Sequence, residues 1–102
     1  MSTFAVTFDI KFDTATNWNR RYDSLMAAIN KCKRVWKETT SFCLVETTET
    51  LDDFERRLFL TDFDGSQDKM LVIDVGYDSC ISRGAIKDKA LLRALMPMVQ
   101  SK

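Results

Sequence analysis

Chemistry in this chain has to come from carboxylates, hydroxyls, lysines and arginines. Histidine is absent, which removes the commonest general base, every Ser-His or Cys-His nucleophile and most transition-metal sites. Cys32, Cys43 and Cys80 are odd in number and widely spaced. With no CxxC pair to suggest zinc, they read as small buried apolar residues in a reducing compartment. A hard cation on oxygen ligands is the metal chemistry such a composition allows. The paired arginines Arg20–Arg21 and Arg56–Arg57 read most simply as solvated helix faces, Asp9 as the polar side of a strand, and Asp13 as a loop or helix-cap residue. Fifteen basic residues balance fifteen acidic ones, so a nucleic-acid partner would need a local basic patch rather than a net charge.

These side chains must be positioned by one modest core, because 102 residues is a single-domain length. The apolar share of 45% and charged share of 29% are ordinary for a globular protein. No apolar run approaches the roughly 18 residues that cross a membrane, and MSTFAVTFD lacks a basic-then-apolar leader. The expectation is a cytoplasmic protein with no membrane partner.

Strict alternation predicts a strand from Phe4 to Phe12. Phe4, Val6, Phe8, Ile10 and Phe12 form its core face; Thr3, Ala5, Thr7, Asp9 and Lys11 form the other. Asp13 to Asn17 is a polar loop with several candidate helix caps. From Trp18 the period becomes helical: Trp18, Tyr22, Leu25, Met26, Ile29 and Cys32 make an apolar stripe, with Arg20, Arg21, Asp23, Asn30 and Lys31 largely off it. Val35 to Glu38 and Phe42 to Thr47 read as strands around a Thr39–Thr40 bend, either a tight hairpin or one bent ribbon. Thr50 is a candidate N-cap for a second helix carrying Leu51, Phe54, Leu58 and Phe59, with Asp52 and Asp53 suited to its positive end. Asp64-Gly65-Ser66 marks a turn, Met70 to Val75 a strand, and Gly76 to Gly84 an irregular loop. Ala85 to Met96 reads as a C-terminal helix that Pro97 helps to end.

This order predicts an α+β fold of ferredoxin-like split βαβ type (βαββαβ). A four-stranded antiparallel sheet carries two helices on one face, and residues 77–102 form a C-terminal loop and helix extension. The first and third strands would be central, the second and fourth edges. Met70, Leu71, Val72, Ile73 and Val75 then make a nominal edge strand apolar on both faces, and Phe42 to Val45 is apolar on both sides as well. Such strands need a second cover. The chain's own C-terminal helix could supply it through Leu91, Leu92 and Leu95. A second copy in a two-fold dimer is the preferred expectation, with Met70, Leu71, Val72, Ile73 and Val75 as its interface.

The VTFDI strand, the Arg-Arg-Tyr helix opening and WKETTSFCLVETT resemble the Cas-two-like superfamily, which holds the small dimeric CRISPR adaptation subunits and their SinR-like relatives. TLDDFERRL and DKMLVIDVG fit that family's second helix and fourth strand. The resemblance covers about three quarters of the chain, Thr3 to Gly76, and is closer to the SinR-like branch. It implies a divalent cation, Mg²⁺ or Mn²⁺, held between Asp9 and its symmetry mate. In that picture Arg20 and Arg21 contact phosphate, and Thr40 and Ser41 lie in a region that is often polar in the family. A cation so placed activates water and neutralises phosphate charge.

Two functions from different classes follow. One is a metal-dependent endonuclease acting on RNA or DNA through paired Asp9. The other, preferred on the neutral charge and missing histidine, is a non-catalytic dimeric scaffold or binding protein in a defence or mobile-element setting, with a nucleic acid or another protein as partner. An antitoxin-like ribonuclease or toxin regulator on the same fold is a third reading.

Overall fold

A computed structural model describes all 102 residues. The elements run β1 (Ser2–Asp9), α1 (Ala15–Ile29), β2 (Arg34–Trp36), β3 (Phe42–Thr47), α2 (Leu51–Phe59), β4 (Lys69–Asp74), β5 (Cys80–Ser82), α3 (Lys89–Leu95) and β6 (Val99–Ser101). The first four strands form one antiparallel sheet in the order β2-β3-β1-β4, with β1 and β3 inside and β2 and β4 at the edges. The second and third strands pair as a hairpin, Val35 facing Val45 and Trp36 facing Leu44.

Period-two alternation sorts the side chains of β1 onto two faces. Phe4, Val6, Phe8 and Ile10 pack with Leu25, Ala28 and Ile29 of α1 and Phe54 and Leu58 of α2, together with Cys43 and Val45 of β3. Phe54 stacks on Phe4 with ring centroids 5.3 Å apart, so the second helix is keyed to the central strand by an aromatic pair. Both helices open on threonine caps: the Thr14 hydroxyl accepts the Asn17 N–H, and the Thr50 hydroxyl accepts the Asp53 N–H.

Several boundaries differ from the pattern reading. The first strand stops at Asp9 and leaves Phe12 exposed, because the chain turns away there to tie its Lys11 amide to Asp68. The first helix starts at Ala15, drawing part of the polar loop into its first turn. Leu51 and Phe59 lie on the exposed side of α2, so its buried face rests on Phe54 and Leu58. The C-terminal helix is shorter than Ala85–Met96, since the Asp88 carboxylate caps it by accepting the Leu91 N–H. The strands β5 and β6 pair in parallel, and three residues each is too short for any period to announce.

The second face of the sheet has a cover that the chain itself supplies in part. Ala5, Trp36 and Leu44 are buried beneath Leu92, Leu95 and Met96 of the C-terminal extension, so the chain supplies its own cover there. Met70 and Val72 point to the helix side and pack against the first core, while Val75 packs against the second cluster. These three are used within the chain. Leu71 and Ile73 alone of the five stay open, 58% and 44% exposed.

Truncating the aromatic key should cost most. Phe54→Ala is expected to lower unfolding free energy by about 3–5 kcal/mol, read from urea denaturation, with the denaturant slope unchanged.

Candidate functional site

The sheet register fixes what shares the second face. Ile73, Ala5, Leu44 and Trp36 form one cross-strand row; Leu71, Thr7 and Phe42 form the next; Lys69 and Asp9 form the last. The extension buries the first row from Ala5 to Trp36. Leu71, Thr7, Asp9 and Lys69 are exposed, and Phe42 is half-buried. An apolar groove of about 620 Å³ runs between sheet and extension, with Ala5, Leu44, Ile73, Cys80, Ile81 and Leu92 among its walls.

Asp9 therefore sits in solvent at the end of the central strand, directly opposite Lys69. The five ion pairs of the chain leave it out. No set of three or more His, Cys, Asp or Glu side chains converges so as to hold a metal ion. One chain brings one carboxylate to this position with a lysine across from it, which does not fit a divalent cation needing several oxygen ligands.

Arg20 and Arg21 part company because successive helical residues are turned by about 100°. Arg20 is exposed and pairs with Asp62 at 3.5 Å, whereas Arg21 is 2% exposed. The Arg21 Nε donates to Asp68 Oδ2 at 3.1 Å, Nη1 to Asp13 Oδ2 at 3.1 Å, and Nη2 to the Lys11 carbonyl. Asp68 also accepts the Lys11 and Asp64 amides, at 3.0 Å each. Arg21 is thus neither the solvated residue nor the open phosphate contact expected of it: two carboxylates and a carbonyl already hold its guanidinium. Burial works against its charge, but Asp13 and Asp68 outweigh that and hold its pKa above the ordinary value. The Thr14 amide, and then Arg21, hold the Asp13 carboxyl below its own. A polar hollow of about 560 Å³ lies over this knot, bordered by Asn17, Arg20, Asp62 and Gln67.

Asp68 was not legible as a site residue, since a single carboxylate just before a strand has no pattern. Arg21 did leave a signal. It stands three residues after Trp18 and four before Leu25, on the buried stripe of the helix.

Two other carboxylates do structural work. Glu49 grips Arg57 through both oxygens, at 2.8 Å each, while Arg57 Nη1 donates to the Ala28 carbonyl and joins α2 to the end of α1. Arg57 is half-buried rather than solvated. The Glu38 carboxylate accepts the Lys87 and Asp88 amides and the Trp36 indole N–H. The Asp88 and Lys87 amides hold its pKa below the ordinary carboxylate value, and Arg57 does the same for Glu49. The cysteines are free; burial pushes the Cys43 thiol up to about 11 and raises Cys32 and Cys80, so none is poised as a thiolate nucleophile.

Compared with protein-family models and with curated proteins, the chain matches none.

Asp68→Asn should lower the melting temperature by roughly 10 °C or more, because it leaves a buried guanidinium short of charge. Adding Arg21→Met should cost less than the two single losses summed, as a double-mutant cycle on thermal melts would read. Acid gives a second check. Asp13, Glu38, Glu49 and Asp64 all have folded pKa values below their ordinary ones. Their stabilisation is complete above the unfolded values and is lost as pH falls through the folded ones. Melting temperature should hold level above about pH 5 and drop steadily below about pH 4.

Proposed function

We propose that this chain is a ferredoxin-like homodimer of the Cas-two-like, SinR-like kind, with a non-catalytic scaffold or nucleic-acid-associated role in a defence or mobile-element setting. One observation carries the reading: Leu71 and Ile73 at an unpaired sheet edge, with Thr7 beside Leu71, stay exposed on a face that the C-terminal extension covers only in part. Exposed apolar residues gathered on one sheet face beside a free edge mark an association surface. The element order, with β2-β3-β1-β4 in the sheet, supports the ferredoxin-like assignment, since split βαβ folds place their first and third strands centrally. The balanced net charge and the pairing of Arg20 and Arg21 with Asp62, Asp13 and Asp68 favour a scaffold over a phosphate clamp.

The endonuclease reading keeps one supporting observation. Asp9 is exposed on the same face, so a dimer built there carries both copies of it toward the interface. A cation between them would be held by Asp9 and its symmetry mate, and Mg²⁺ or Mn²⁺ suits such oxygen donors.

Sedimentation at micromolar concentration is expected to show a dimer. Leu71→Glu with Ile73→Lys should return a monomer that melts within a few degrees of the parent, because both positions are exposed in the single chain. A parent protein that stays monomeric to millimolar concentration, or a double variant that still dimerises, removes the proposal. Incubation with single- and double-stranded RNA and DNA in Mg²⁺ or Mn²⁺ is expected to leave them intact. Cleavage that disappears in Asp9→Asn would shift the conclusion to the endonuclease.

A further inference from the structure

The C-terminal extension is joined to the rest of the chain in an uneven way. Every ion pair of the protein lies within residues 1–68. Side-chain hydrogen bonds between residues 77–102 and residues 1–74 come from one group, the Glu38 carboxylate, whose Oε1 takes the Lys87 amide at 2.7 Å and Oε2 the Asp88 amide at 3.0 Å. The same carboxylate accepts the Trp36 indole N–H at 3.0 Å, so the group that grips the extension also fixes the floor on which α3 rests. The remaining attachment is apolar, through Leu92, Leu95 and Met96 on Ala5, Trp36 and Leu44, with Phe42, Val75, Ile86, Leu91 and Val99 packed around them.

The extension is also built to move as a piece. Its own ends are stitched together by β5 and β6, with the Lys102 amide returning to the Ser82 carbonyl. The connection from β4 passes through Gly76 at φ 41°, at the junction with the unit. In this left-handed region glycine moves between wells at little cost. A unit tied internally, joined to β4 through Gly76 and held to the body by one carboxylate and one apolar patch can open without unfolding the helix-side core.

We propose that Glu38 is the latch of a hinged cover, and that removing its charge lets residues 77–102 lift from the sheet as a unit. Lifting exposes Ala5, Leu44 and Trp36 beside Leu71, Thr7 and Phe42, so two rows that are separate in the closed form become one continuous apolar face. The latch stands independently of the proposed role, since its readout is local opening and not oligomeric state or cleavage.

Amide hydrogen exchange on the full-length chain tests it, comparing the parent with Glu38→Gln, Glu38→Ala and a control, Glu55→Gln, on the exposed side of α2. Once undocked the seven-residue α3 frays in water, so both Glu38 variants are expected to exchange the amides of Leu91 to Met96 about tenfold faster or more, while the amides of Phe4 to Phe8 keep the parent rate. Trp36 fluorescence should shift to the red in the same variants, and Glu55→Gln should match the parent throughout. Unchanged exchange over Leu91 to Met96 overturns the latch. Acceleration spread equally over Phe4 to Phe8 overturns the hinged cover, because the whole domain would then be opening together. The oligomeric state of each variant, measured in parallel, tells failure of the latch apart from failure of the dimer.

Discussion

Strand β1 is paired on both edges, with β3 and with β4, and has cores on both of its faces. Its side-chain alternation is therefore the constraint to which the other elements conform. A slip of one residue would carry Ala5, Thr7 and Asp9 into the helix-side core and expel Phe4, Val6 and Phe8. The bulky set faces two helices and makes a closed core. The small and polar set faces a short helix that buries Ala5 but leaves Thr7 and Asp9 in solvent, and only Phe42 of the Thr7 row reaches the covered cluster. The asymmetry of the molecule, one sealed side and one half-open side, is written in the contrast between phenylalanine and threonine on alternate positions of one strand.

Two polar knots hold the connections that the cores do not. Asp68 ties the β1–α1 loop, the first helix and the turn before β4 through Lys11, Arg21 and Asp64. Both members of its ion pair are desolvated, so the pair fixes geometry more surely than it adds net stability, and its loss leaves a charge without water or partner. Glu38 does a similar service on the other side, in solvent, for the extension. There an unmade bond can be replaced by water, and the cost of opening is correspondingly smaller. The sealed side is locked by a buried charge and the half-open side by an exposed one.

How far the sequence disclosed this follows from the same physics. Period-two and period-3.6 patterns, together with apolar β-branched runs and the turn signals between them, locate the longer elements β1, α1, β3, α2 and β4. The β5–β6 pair carries no such pattern, and an apolar run such as MLVIDV does not say which chain covers it. The pleat divides its residues, sending Met70 and Val72 inward to the helix-side core and leaving Leu71 and Ile73 exposed. The polar knots were hidden for another reason. Asp68 lies 47 residues from Arg21, and no local spacing can pair them; the pattern reading sets Arg21 itself off the apolar stripe and in solvent, although it stands three residues after Trp18 and four before Leu25.

These pairings also limit the chemistry left for recognition. Arg20, Arg21, Arg34 and Arg57 each face a carboxylate of the same chain, so much of the guanidinium charge is neutralised before any partner arrives. A phosphate approaching Arg21 would have to displace two carboxylates from a buried position, exchanging satisfied charge for repulsion. Leu71 and Ile73 face no such competitor. Their cross-strand neighbours on the sheet face are Thr7 and Ala5, and the edge beside them offers unpaired main-chain donors and acceptors. Affinity there would come from apolar contact and strand pairing, which salt leaves largely untouched, rather than from counterion release.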